Sequence, residues 1–370
     1  MSSGKAQSLS TTQGAASGGS FNLTNNSSLI GFKGTEDLGN GLKGLFQMET
    51  NVNVNGGGDA PNTTSGNLFT SARDSYVGLG SKYGTVLGGY LSTPFRSALT
   101  SFDVMPGATG SGRIENLMGK MQLNNQNTGA EGTVGTGGLL ANASVRSTAI
   151  AYAMPSLYGM NGSIAYTGNN NGSTVSGRNE GALTPTPTGA VTAVAPQQAL
   201  SMNLGWDGYG VGIKGAYQQA KVNYNNSNMQ GFTSYLVGVQ YTGVPGLKVA
   251  AVYNRNTLGV NADAESGAAK GSNNSYWMGA SYRFGNNEPR LSWATTSNVN
   301  GDTNVSQSGG RQITANWGYY LSKRTQVYGI VSSVNNSANG IWNVGGSASG
   351  IKPTGGQNIM TYGAGLRTNF

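Results

Sequence analysis

The chain has 370 residues, 61 of them glycine and only 36% of them hydrophobic, with 22 Lys plus Arg against 14 Asp plus Glu, hence 22 − 14 = +8, and neither cysteine nor histidine. Those absences exclude disulfides, thiolate nucleophiles, imidazole bases and Cys/His zinc sites, and with them most enzyme chemistries. No apolar run of about eighteen residues could cross a membrane as a helix, and abundant glycine with 18 tyrosines favours strands.

Residues 1–26 are rich in Ser, Gly and Gln and show no sustained alternation; only Phe21-Asn22-Leu23 hints at a strand. They are read as an irregular amino-terminal segment, with no basic stretch leading into an apolar one as a signal peptide requires. From residue 27 a period of two takes over. It is clearest in Gly41–Val54, where Leu42, Gly44, Phe46, Met48, Val52 and Val54 share one face and Lys43, Gln47, Glu49, Asn51 and Asn53 the other. The same parity recurs in Leu200/Met202/Leu204/Trp206, Tyr209/Val211/Ile213/Tyr217, Tyr276/Met278/Ala280/Tyr282/Phe284 and Ile313/Ala315/Trp317/Tyr319/Leu321, each against a polar face.

This rule places fifteen strands near 27–35, 41–54, 69–80, 84–92, 145–155, 159–168, 199–206, 208–221, 231–242, 247–257, 274–285, 288–297, 311–321, 323–334 and 359–370. Short turns alternate with long polar loops at 55–68, 93–144, 169–198, 258–273, 298–310 and 335–358. The last strand puts Tyr362, Ala364, Leu366 and Phe370 on one face of an aromatic carboxy-terminus. One greasy face, one wet face and aromatics at the edges suit a transmembrane antiparallel β-barrel, all-β, with short turns on one side and long loops on the other. An odd strand count would leave the two termini on opposite sides, so a sixteenth strand is expected ahead of Ser27, missing or degenerate here, with the true start codon upstream of Met1.

Several stretches carry a family resemblance: Gly31–Glu49, which includes Gly34-Thr35-Glu36-Asp37-Leu38-Gly39; Arg73-Asp74-Ser75-Tyr76-Val77-Gly78-Leu79; Tyr83–Val86; Tyr152–Tyr166; and Gly365–Phe370. On these the chain resembles the general trimeric porins of Gram-negative bacteria, β-proteobacterial type, from about residue 27 to the end. The resemblance implies about sixteen strands, a homotrimer in the outer membrane, and a long third loop, here 93–144, folded into the pore as a constriction. It implies basic side chains on the wall, Lys33, Arg73 and Arg146, facing acids on the loop, Asp103 and Glu115, with Glu131 further along. Parity independently puts Lys33 and Lys43 on the wet face. Leu29 and Tyr90 stand where many relatives carry Arg, a gap that Arg96 and Arg113 of the loop could fill. Tyr362, Leu366 and Phe370 would form the signal read by the barrel-insertion machinery.

Asp74 follows Arg73 and is expected to point outward, where a subunit contact suits it better than lipid. The two G-x-G-x-x-G matches, Gly39–Gly44 and Gly210–Gly215, precede no helix and carry no nucleotide reading. Basic residues are scattered singly, which argues against nucleic acid. The expected function is a general diffusion porin, a passive channel for ions and small hydrophilic solutes with weak to moderate anion preference, no cofactor and no metal. Its surroundings would be outer-membrane lipid and lipopolysaccharide. The alternative is a solute-specific channel whose pore is lined by Tyr90, Tyr152, Tyr158 and Tyr217; a barrel enzyme and a secreted adhesin fit less well.

Overall fold

The structure, a computed structural model, describes residues 7–14, 17–52, 69–105, 110–122, 139–141, 146–168, 182–185, 191–194, 198–224, 228–259, 271–301, 306–344 and 355–369. In chain order the elements are β1 (Gln7–Gly14), β2 (Ser17–Asn25), β3 (Leu29–Gly39), β4 (Leu42–Val52), β5 (Phe69–Ala72), β6 (Ser75–Ser81), β7 (Gly84–Ser92), α1 (Pro94–Phe102), β8 (Lys120–Gln122), β9 (Leu139–Ala141), β10 (Arg146–Ala153) and β11 (Met160–Thr167). There follow β12 (Ala182–Pro185), β13 (Val191–Val194), β14 (Gln198–Gly208), β15 (Val211–Tyr224), β16 (Asn228–Tyr241), β17 (Leu247–Gly259), β18 (Gly271–Tyr282), β19 (Asn287–Thr296), β20 (Gly310–Tyr320), β21 (Thr325–Asn336) and β22 (Ile359–Thr368).

Every one of the fifteen expected strands is present. Antiparallel neighbours run in chain order from β3 through β4, the interrupted strand β5/β6, β7, β10, β11 and β14 on to β22. The amino-terminal segment departs from expectation. Residues 7–14 and 17–25 form the hairpin β1–β2, and β1 pairs with β22. Serine and threonine can occupy a ladder through backbone bonds alone, so this hairpin carries no apolar alternation by which to recognise it. Among the described residues no pairing joins β2 to β3.

Alternation produces two surfaces. On β16, Tyr235, Val237, Val239 and Tyr241 are exposed while Ser234 and Leu236 are buried; on β20, Ile313, Trp317 and Tyr319 are exposed while Gln312, Thr314 and Asn316 are buried. A soluble protein buries the opposite set, so the exposed apolar face is the lipid face. Aromatics bracket it. Tyr235 and Tyr241 enclose Val237 and Val239, and Tyr276 and Tyr282 enclose Met278 and Ala280, six positions or about 20 Å along each strand. Rings also stack along the short-turn end, Tyr282 on Phe284 at 5.7 Å and Phe284 against Trp317 at 6.4 Å between centroids.

The segment after β7 leaves the wall and packs on the wet face. Thr93 caps α1, its Oγ1 accepting from Arg96 N at 3.3 Å, and Pro94 supplies a fixed φ at the first turn. Phe95, Ala98, Leu99 and Phe102 then form one buried stripe, clustered with Leu236, Ala250, Val252 and Trp277 of the wall. Phe102 sits over Gly238, where a Cβ would come within 2.5 Å of its ring. Lys248 Nζ donates to Ser101 O at 2.8 Å and Asp103 O at 3.1 Å, a cation at the helix carboxy end where the carbonyls are orphaned. Further along, Asn254 Oδ1 accepts from Gly119 N, Asn256 and Asn273 donate to Lys120 O, and Gln312 donates to Ser111 O at 2.7 Å. Strands from β14 to β21 thus all reach one loop, which requires the sheet to curve around it.

Candidate functional site

Where β7 ends and the loop turns inward, charged side chains collect. They begin at an irregularity. Between the pairs Gln47↔Tyr76 and Thr50↔Ala72 the chain advances three residues on β4 and four on its partner, an extra residue that makes a β-bulge at Arg73–Ser75. The bulge parts Arg73 from Asp74. Arg73 Nε pairs with Glu49 Oε1, and its Nη1 donates to Asn51 Oδ1 at 3.1 Å, which puts Arg73 beside the polar residues of β4.

Asp74 turns to the other side and is not alone there. Its Oδ1 accepts from Ser92 N at 2.8 Å, Ser92 Oγ at 2.9 Å and Arg146 Nε at 2.9 Å. Arg146 was expected to line the pore. Its strand parity instead matches Thr148, Ile150 and Tyr152, and Ile150 is 69% exposed on the lipid face. The correction has a simple cause: Asp74, the acid that parity sent outward, needs a cation, and Arg146 is the one that β10 brings to it.

Ser92 links this pair to the loop. Arg96 Nη1 donates to Ser92 Oγ at 3.4 Å, and Arg96 Nε donates to Glu115 Oε1 at 2.8 Å. Arg113 Nη1 lies 3.9 Å from Glu115 Oε2, within the short 3-10 turn Ile114–Asn116. The loop acid Glu115, 6% exposed, is therefore held by the loop's own arginines and presents little free negative charge to the opposite wall. Asp103 is likewise engaged. Its Oδ1 accepts from Met105 N at 2.8 Å and its Oδ2 from Ile114 N at 3.1 Å, which staples two parts of the loop together. The residue keeps some open surface, but its carboxyl is enclosed, and that burial pushes it up to about 7 against the two stabilising N–H donors.

Lys33 and Lys43 are exposed on the face shared by Gln47 and Tyr76, and no ion pair holds either among the described residues. Leu29 is buried, and Tyr90 lies opposite Ser75 and Thr148, on the side of Arg146 rather than in the pore. Tyr152 and Tyr158 are exposed, and Tyr217 packs, its ring tilted at 5.3 Å between centroids, against Tyr235 of the lipid face, so these four tyrosines do not line an aromatic pore. Tyr362 and Leu366 lie on the outer face of β22, 36% and 44% exposed; Phe370 and Glu131 fall outside the described residues. Sequence reading missed Lys248, although its parity with Ala250 and Val252, small residues that leave room above them, could have marked it.

Residues 4–339 match the model of the Gram-negative porin family. The chain is 25% identical over 318 residues, 80% of its length, to the major outer membrane protein P.IB of Neisseria gonorrhoeae, covering 75% of that protein. Among solved structures it is similar to the anion-selective porin from Comamonas acidovorans, with a TM-score of 0.73 at 21% identity over 100% of this chain and 98% of that one. The trimer form of the outer membrane protein OmpT of Vibrio cholerae superposes with a TM-score of 0.62 at 10% identity, covering 99% and 98%.

Proposed function

This chain belongs to the Gram-negative porin family, and we propose that it works as a general diffusion channel for small hydrophilic solutes and ions with a weak to moderate preference for anions. It resides in the bacterial outer membrane and is a passive channel, not an enzyme. One observation carries the anion preference. On the pore side, Lys33 and Arg73 of the wall and Arg96 and Arg113 of the loop supply four cations, while Glu49 and Glu115 supply two carboxylates, each already paired with an arginine. The surplus is positive, and Asp103, pushed up to about 7, adds less than a full negative charge near neutrality. Permeating anions then meet a positive potential concentrated by low-dielectric walls. The likeness to an anion-selective porin supports the same sign.

The channel acts as a homotrimer. Support comes from the outer face of β3–β10, where Gly88 leaves an open notch between Val77 and Ile150 and where the polar pair Asp74–Arg146 is ill suited to lipid. Lipid and lipopolysaccharide would cover the remaining outer wall, and Tyr362, Leu366 and Phe370 would address the chain to the insertion machinery. The test is the reversal potential of channels reconstituted in planar bilayers under a potassium chloride gradient. Replacing Arg73, Arg96 and Arg113 together by Gln should move it towards the cation side; an unchanged value would remove these residues as determinants.

A further inference from the structure

We propose that the inner wall at its short-turn end carries a second anion site, in which Arg283, Arg290 and Arg367 gather around Tyr320 to take a small oxyanion of the carboxylate or phosphate class. The proposal rests on the reading of an aqueous path through the barrel and lies apart from the cluster at the loop.

Strand register brings the residues together. Ser281, Arg290 and Asn316 occupy one paired row on the wet faces of β18, β19 and β20, and Gln326 pairs with both Tyr320 and Arg367. A single acid stands among them. Glu288 Oε2 pairs with Arg290 Nη2 and accepts from Tyr320 Oη at 2.6 Å and from Gln326 Nε2 at 3.5 Å. Arg283 lies 3.9 Å over the Tyr320 ring, and Arg367 is within electrostatic reach of Tyr320, Arg290 and Glu288. Neither Arg283 nor Arg367 has an ion pair among the described residues.

Unmet hydrogen bonds point the same way. Asn316 Oδ1 accepts from Arg290 Nη1 at 2.6 Å, but its Nδ2 has no partner among the described residues. Arg367 Nε is equally without one, so two buried donors, Asn316 Nδ2 and Arg367 Nε, stand unmet in this cluster among the described residues. Asn316 and Gln326 are 4% and 2% exposed, and native proteins rarely leave buried polar groups unpaired. Gly318 lets the cluster's own side chains close over the wall: a Cβ there would come within 2.3 Å of Gln326 Nε2 and 3.1 Å of Arg290 Nη1. Two guanidiniums without an ion pair among the described residues and an amide N–H without a hydrogen bond match the oxygens of a carboxylate or phosphate, which accept forked donors from arginine.

The experiment uses the full chain in planar bilayers, with inorganic phosphate or succinate added to one compartment at a time while chloride current is recorded. Either anion, on the order of 1 mM, should reduce the current from one compartment only, and Arg283→Gln or Arg367→Gln should raise the half-blocking concentration at least about tenfold. Arg311→Gln, on the outer face, should change nothing. Arg283 is exposed, so its variant tests the site even if replacing Arg367 spoils folding. Phosphate block without succinate block narrows the ligand to the phosphate class, and the reverse narrows it to carboxylates. Channels that open but show no block, or block that persists in Arg283→Gln, overturn this site alone; protein that opens no channels overturns the aqueous path as well.

Discussion

Asp74 is the residue on which the local architecture turns. A bulge frees it from the wet face, and three donors then satisfy it, Arg146 among them with its side chain 17% exposed. Removing one member of a partly buried pair leaves the other short of partners, whereas removing both does not. Asp74→Asn should therefore lower stability by about 1–3 kcal/mol, and Asp74→Asn with Arg146→Met should recover part of the loss. Urea unfolding of the four proteins in detergent gives the coupling energy, and strictly additive losses would contradict the pair. Sequence parity was enough to send Asp74 outward and Arg73 inward. Arg146 was placed in the pore by resemblance alone, whereas the alternation of its own strand groups it with Ile150 and Tyr152 on the other side.

At the scale of elements, the loop helix packs on the wet face of the wall. A capped start, an apolar stripe and a lysine at its carboxy end fix α1 to the wall. Gly238→Ala should wedge Phe102 off its seat at a cost of about 1–3 kcal/mol and push the helix into the lumen, which single-channel recording would register as lower conductance. Asp103 makes this packing sensitive to pH. With its carboxyl raised to about 7, the native state binds a proton that the unfolded chain has already lost between about pH 4 and about pH 7, so stability falls as pH rises through that window. The thermal midpoint of the wild type should accordingly drop between about pH 5 and about pH 8 relative to that of Asp103→Asn, and parallel profiles would contradict the assignment. The helix itself was not legible beforehand. Nine residues, Pro94–Phe102, within a long polar loop give only a faint signal, and the partners of their stripe, Leu236, Val252 and Trp277, lie far along the chain.

For the whole molecule, a two-residue period was sufficient to find fifteen strands, because lipid on one side and water on the other punish any slip of register. The hairpin β1–β2 escaped because Ser and Thr carry no such contrast; it pairs antiparallel with β22. Selectivity belongs to this scale too, since it reflects the balance of all charges along the path rather than any single contact. Salt screens that balance, with a Debye length of about 10 Å at 0.1 M and about 30 Å at 0.01 M. The most direct measurement is therefore the reversal potential of the reconstituted channel across a fixed potassium chloride ratio, repeated as both solutions are diluted. Stepwise conductance with an anion-side potential that grows on dilution is the predicted result; a cation-side potential, or no conductance at all, would contradict it.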